Sequence, residues 1–483
     1  MAPQKQRAAP KASPSKSIQA WEDDPISGGK PIARPVPSFQ AGQLKLAFNK
    51  TAPPPKAYPP AAKEFRYWTT AEALQRAIAF WQPAFPAGTT WQPGATLKVH
   101  LDEGVDLNAY YTRDYPGQES GLYFFHAKVK GKTVFSSESP DVTCHELGHA
   151  VLDALRPDFW DLSNLEAAAL HESFGDMSAL LCGLQLPSLR AAVLKETGGS
   201  LYSTSRLSRL AEQLGWAIRQ GHPDQVETDC LRNAVNSHFY VDPNQLLPNA
   251  PASSLSSEPH SFSRVFTSAF FEALGGMVST LSQNPAEDVL GQASLDMRTL
   301  LVDGVRNAQV VPELYAQVAA KIVEADAHRF AGKYSAALKS AFVRHGVLPL
   351  SVAATPRGGT RAGAAAAMAA PAAAPAGLAR FDGEHFGLGG LKVVAFSSAG
   401  NAASTTRSIA ASGAALAPRT AEQTAYHFLR YLFVRGRVQL GDHGDRESRV
   451  AHPRVRKTHE LTRHAEGVIV VRRSFDCGLH PER

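Results

Sequence analysis

The chain of 483 residues has only four cysteines, Cys144, Cys182, Cys230 and Cys477, and none sits in a CxxC pair. That spacing suggests neither a disulfide framework nor a thiolate zinc site, and buried thiols are the expectation. Long apolar runs are also missing. No stretch of 18 apolar residues occurs, so no membrane-spanning helix is expected. The basic start MAPQKQRAAPKASPSKS lacks the apolar region that a secretory signal carries. A soluble, cytoplasmic chain is the default expectation, with export by a specialised machine left open. Charge of one sign is scarce outside the first segment. Residues 1–65 hold ten Lys/Arg against four Asp/Glu, an excess of six that equals the formal net charge of the whole chain. The remainder is near neutral, so no nucleic-acid partner is expected.

What is present is ordinary globular composition, 44% apolar, in a length that accommodates two or three domains. Residues 1–64 are rich in Pro, Ala, Lys and Ser and read as a disordered tail. Residues 65–185 begin with a helix that Thr69 and Thr70 could cap. Strand signals follow: alternating Leu97, Val99 and Leu101, then NAYY at 108–111, then GLYFFHAKV turning through Lys130, Gly131 and Lys132 into TVF. From Asp141, read as a helix N-cap, helical periodicity takes over. A second helix opens at Ser163 and Glu166 in capping-box spacing, and residues 186–350 form a mainly helical lobe with segments at 203–219, 262–283, 312–330 and 334–345. Residues 351–377 form an Ala/Gly/Pro-rich linker. Residues 378–483 are an extension of unknown role, with AEQTAYHFLRYLFVRG as helix or strand pair and GVIVV as a strand. The fold class expected is α+β.

The strongest chemical signal is His145-Glu146-Leu147-Gly148-His149, an HExxH on a segment with helical periodicity. Histidines at i and i+4 share a helix face and can bind one zinc ion, with Glu146 beside them as general base. A catalytic zinc needs a third ligand. Glu172 lies 23 residues past His149 on the second helix, and Asp176 falls four residues later on the same face. Asp176 can then hold the outer N–H of a ligating imidazole.

HELGH followed by HESFGDM resembles the thermolysin family of neutral zinc metallopeptidases, a gluzincin family with HExxH and a downstream ligand Glu. Further matches are Asp141 four residues before the first ligand, Asn108-Ala109-Tyr110-Tyr111 as an Asn-Ala-aromatic edge strand, EPHSFSRVFTSAFFEAL, and YSAALKSAFVRHGVL as a closing helix. The resemblance covers about residues 95–350. It implies two lobes: an N-terminal lobe with a mixed sheet and the zinc-binding helix, and a mainly helical C-terminal lobe. It implies one zinc per chain on His145, His149 and Glu172, with Glu146 and His260 catalytic and Asp176 supporting. Asn108 and Ala109 would bind the backbone of a peptide or protein substrate. The chain departs from the family where Phe159 and Trp160 stand near an expected Tyr, where Leu255 precedes His260 by five residues with only Glu258 as a nearby acid, and where Gly183 replaces a calcium-ligand Glu. Calcium is not predicted, and a monomer is the default.

Two other classes compete with an endopeptidase. One is an aminopeptidase, which needs an acidic anchor near the edge strand. The other is a weak or inactive metallopeptidase-like binding module, which has no need of Glu146. HELTRH at 459–464 is one residue too long for i, i+4 ligands and reads as coincidence, Cys144 and the Phe270–Phe271 pair read as core, and His126 and His171 could support the site.

Overall fold

The computed structural model describes residues 17–39, 42–349, 377–398, 419–443 and 455–476. The fold is mixed α+β. Its first part pairs β1 (Ser17–Trp21) with β2 (Pro31–Pro35), followed by β3 (Lys45–Phe48), α1 (Lys63–Trp81), β4 (Thr96–His100), β5 (Ala109–Thr112), β6 (Gly121–Phe124), β7 (His126–Val129) and β8 (Lys132–Phe135). The segment read from sequence as one long strand splits after Phe124, and β7 and β8 form a separate hairpin. Its turn residues Lys130 and Gly131 have φ of 49° and 83°, as a tight two-residue hairpin turn requires.

The part expected to be an unstructured tail differs from that expectation. Ile18 and Ala20 of β1 alternate inward and pack with Trp68 and Ala71 of α1, and the Trp21 N–H donates to Thr69 Oγ1 at 2.8 Å. Thr69 and Thr70 lie inside α1 rather than capping it. Residues 1–16 lie outside the described residues.

Helices α2 (Pro140–Leu155), α3 (Leu165–Gly183), α4 (Pro187–Thr197), α5 (Glu212–Arg219), α6 (Pro259–Leu281), α7 (Glu287–Asn307), α8 (Leu314–Arg329) and α9 (Ser335–Arg344) make up the middle of the chain, with β9 (Arg209–Leu210) and β10 (Arg232–Asn233) pairing beside them. The caps shift by a residue or two from the sequence reading. Ser139, not Asp141, caps α2, with Pro140 at its first position, and Asn164, not Ser163, caps α3 through a 2.7 Å bond from the Glu166 N–H. The helix expected over 203–219 is only α5, and α7 had no counterpart in the sequence reading. All nineteen residues of α3 are buried. Burial on every side marks a core helix, and α3 sits between α2 and α6. Among the described residues, no single helix is long and apolar enough to cross a membrane.

The last part folds as β11 (Gly377–Asp382), β12 (Lys392–Ser397), α10 (Ala421–Val434), β13 (Val438–Gln439), β14 (His459–His464), β15 (Gly467–Arg472) and β16 (Ser474–Asp476). HELTRH is thus strand β14, and AEQTAYHFLRYLFV is a capping-box helix. Five of these strands form a mixed sheet in the order β11-β12-β15-β14-β13. The sixth leaves it. β16 joins the sheet built by the first part of the chain, whose order is β16-β5-β6-β4-β3. Of the linker expected over 351–377, only Gly377 is described, and it opens β11.

Candidate metal centre

Two helices meet where glycine removes the side chain on both. A Cβ at Gly148 of α2 would stand 2.8 Å from Ser178 Cβ and 2.9 Å from Gly175 Cα of α3, and one at Gly175 would stand 2.6 Å from the His145 ring. Such distances are below contact for carbon, so this crossing requires glycine. The close approach delivers Glu172 to the face carrying His145 and His149. Their Nε2 atoms lie 3.1 Å apart, with Glu172 Oε2 3.4 Å from His145 Nε2 and Oε1 3.9 Å from His149 Nε2. All three residues are buried, and among the described residues this is the one His/Cys/Asp/Glu group whose ligand atoms lie within 4.8 Å of one another.

The donor set suits a metal ion. Two imidazole nitrogens facing each other at 3.1 Å repel unless a proton or a cation lies between them, and the buried Glu172 carboxylate closes the third side of the group. Burial, with the neighbouring His145 and His260, holds the His149 pKa well below its usual value. Its neutral imidazole is the ligating form.

Asp176 takes the outer face of His145, with Oδ1 3.0 Å from Nδ1. The same carboxylate accepts from Arg232 of β10 at 2.7 and 3.1 Å and from Thr267 Oγ1 of α6 at 3.5 Å. Burial pulls against ionisation, yet Arg232 and His145 hold the Asp176 pKa below the carboxylate range. Burial likewise lowers the His145 pKa, but the bonds to Asp176 and Glu172 outweigh it and raise it to about 9. Arg232 was absent from the sequence reading. Its one signal is a cation in an irregular stretch, and many surface arginines share it.

His260 lies on the first turn of α6, and its Nε2 is 3.2 Å from Glu172 Oε2. The acid that orients it is Glu258, the α6 N-cap, with Oε1 2.6 Å from His260 Nδ1 and Oε2 accepting from the Ser261 N–H at 2.8 Å. One carboxylate thus caps the helix and fixes the imidazole. Burial lowers the His260 pKa, but Glu172 and Glu258 raise it further, so the net direction is up. Glu146 is fully buried. It lines a cavity of about 20 Å³ with His145, Asp176 and Arg232, room for one water molecule.

Asn108 and Ala109 are also fully buried. Asn108 Nδ2 donates to Asp106 Oδ2 at 3.3 Å while its Oδ1 lacks a partner. The strand they begin was expected to be an open edge, and the structure corrects this: β16 pairs along β5. His171 stacks on Phe475 of β16 at 4.1 Å. His126 packs instead against the tilted Phe135 ring, in the β7–β8 hairpin. Cys144, Cys182 and Cys230 are free and buried, as the sequence suggested, and Cys477 lies outside the described residues.

Asp141 has company that its sequence neighbourhood did not show. The β1–β2 connection brings Asp23 and Asp24 to it, and α5 brings Glu212. Burial, reinforced by this mutual repulsion, pushes Asp23 up to about 7 and Asp24 to about 6. The arrangement ties the N-terminal strands to the start of α2, since Asp24 Oδ1 accepts from the Gln213 N–H at 3.0 Å and Asp141 Oδ2 from the Ala211 N–H at 3.4 Å. Set against known proteins, the chain matches no family model and no curated sequence.

Proposed function

We propose that the chain is a zinc-dependent metalloendopeptidase of the gluzincin class with a thermolysin-like two-lobed fold, in which His145, His149 and Glu172 hold one zinc ion. The observation that carries this reading is the convergence of two Nε2 atoms and one carboxylate inside 4.8 Å, with Asp176 behind one imidazole and His260 beside the carboxylate. Zinc bound there would polarise a peptide carbonyl and bring the pKa of a coordinated water to near 7.

The remaining chemistry belongs to side chains. Glu146 takes the proton of the attacking water and passes it to the leaving amine. His260, oriented by Glu258, donates from Nε2 to the developing oxyanion, a contact whose loss costs about 3 kcal/mol. Asp176 fixes the tautomer and orientation of His145. Asn108 and Ala109 would pair with an extended peptide only where β16, which covers this side of β5, gives way. An aminopeptidase would need a carboxylate for the substrate amine near that edge, and Asp106 there is engaged by Arg456 at 2.8 Å.

The test joins metal content to cleavage of an unstructured protein. Wild type is expected to hold about one zinc per chain and to cleave in a chelator-sensitive manner. Glu146→Gln should keep the metal and lose about 10²-fold or more in rate, while Glu172→Gln should lose the metal. Equal cleavage by wild type and Glu146→Gln, or undiminished zinc in Glu172→Gln, would overturn the reading.

A further inference from the structure

Strand β16 lies where a substrate would lie. It runs antiparallel to β5 with Ser474 opposite Thr112, Phe475 opposite Tyr111 and Asp476 opposite Tyr110. An extended peptide that adds a strand to a sheet edge gains main-chain bonds from the edge and specificity from pockets for alternate side chains. Phe475 fills such a pocket. It is 2% exposed, its ring stacks on those of His149 at 4.9 Å and His171 at 4.1 Å, and Trp160 meets it edge-on at 5.1 Å. A strand that merely completed a sheet would have no reason to lay its one large side chain on a candidate ligand's imidazole.

All three residues of β16 are buried and Phe475 joins the main apolar core, while polar anchors hold the strand along its length. Thr112 Oγ1 donates to the Arg473 carbonyl at 2.6 Å, and Arg472 Nε donates to the Trp160 carbonyl at 2.9 Å. Arg456 bridges the two strands' acids, reaching Asp106 Oδ2 at 2.8 Å and Asp476 Oδ2 at 3.2 Å. The ladder is three residues long, short enough to be displaced. Two strands cannot share one edge.

We propose that Ser474–Asp476 is an intramolecular substrate mimic: the β5 edge and the slot of His149, His171 and Trp160 accept an extended peptide bearing a large aromatic side chain, and the chain's own C-terminal strand holds that place until it is displaced or cut away. This rests on the metallopeptidase reading and adds to it a substrate preference and a restraint. The polar anchors lie on β5, on the Trp160–Asp161 loop and on the C-terminal segment itself, and the apolar anchor Phe475 rests on His149 of α2 and His171 of α3.

The experiment compares the full wild-type chain with Phe475→Asp and Arg456→Ala in two readouts. One is chelator-sensitive cleavage of an unstructured protein. The other is the affinity of a fluorescent peptidyl hydroxamate carrying a phenylalanine. Phe475→Asp should gain about tenfold or more in both. Arg456→Ala, whose side chain is 28% exposed and lies over the Tyr110 and Phe125 rings at 4.8 and 5.4 Å, should gain roughly threefold. The acetylated peptide Val-Val-Arg-Arg-Ser-Phe-Asp should restore the restraint on both variants, and its alanine-for-phenylalanine form should not. Unchanged cleavage and probe affinity in both variants, with an active wild type, overturns the proposal and leaves the peptidase reading intact. Higher probe affinity with no cleavage by any of the three supports the masking role and overturns the peptidase reading. No gain in probe binding and no cleavage overturns both. Where Phe475→Asp fails to fold, Arg456→Ala and the added peptide decide.

Discussion

Replacing Asp176 by Asn keeps the shape of the side chain and removes one charge, which makes it a direct probe of how the centre is held. Asp176 is 1% exposed, and its carboxylate serves His145 at 3.0 Å and Arg232 at 2.7 and 3.1 Å. Two effects follow, and they are separable. Arg232, 8% exposed, keeps its charge without the counter-charge, a situation that costs about 3–5 kcal/mol. The new amide can accept through only one oxygen, so either His145 or Arg232 faces an N–H instead. A ligand imidazole freed in this way typically loses about 10- to 100-fold in metal affinity, or about 1.4–2.7 kcal/mol. Urea unfolding of the chelated protein measures the first effect, and zinc competition against a chromophoric chelator measures the second. The pair Asp176→Leu with Arg232→Met should recover much of the stability, because both charges leave together, but none of the affinity. Zinc affinity within about twofold of wild type in Asp176→Asn would refute the assigned role of the carboxylate.

Gly175→Ala puts a methyl group 2.6 Å from the His145 ring and should cost about 1–3 kcal/mol of stability along with measurable zinc affinity. A variant that binds zinc like wild type would show that the helix crossing tolerates what the geometry forbids. Arg419→Ala leaves Glu166, fully buried and also held by Tyr240 Oη at 2.6 Å and the Tyr315 N–H at 2.8 Å, without its cation. Stability should fall by about 3 kcal/mol, and chemical denaturation showing a loss under about 1 kcal/mol would count against that ion pair. Asp23 and Asp24, raised to about 7 and about 6 by burial, bind protons in the folded chain at pH values where the unfolded chain has released them. Stability should therefore decline as pH rises from about 4, up to about 6 for Asp24 and about 7 for Asp23, by on the order of 1 kcal/mol per pH unit for each carboxyl. Glu258 works in the opposite sense: although burial opposes it, His260 draws its pKa down to about 2, so its contribution is complete above about 4.5 and fades as pH falls towards 2. Denaturation midpoints across pH 3–8 test both, and a profile unaltered in Asp23→Asn/Asp24→Asn removes the N-terminal acids from the account.

The sequence by itself determined what depends on local spacing. Four residues advance a helix by just over one turn, so His145 and His149 share a face wherever the helix sits, and Glu172 and Asp176 do the same on α3. Hydrophobic period marked α2, α3, α6, α8 and α9, and the alternation of Leu97, Val99 and Leu101 marked β4. What tertiary structure alone decided are partnerships between remote segments. Arg232 reaches Asp176 across 56 residues, and Asp23 meets Asp141 through a segment whose composition reads as disordered. The last strand is the clearest case. The Arg473 carbonyl that accepts from Thr112 lies 361 residues further along the chain, and no local pattern in Ser-Phe-Asp specifies β5 as its neighbour. A sheet edge recruits whichever strand the rest of the fold brings to it, so that choice was made by topology and packing, beyond the reach of local sequence pattern.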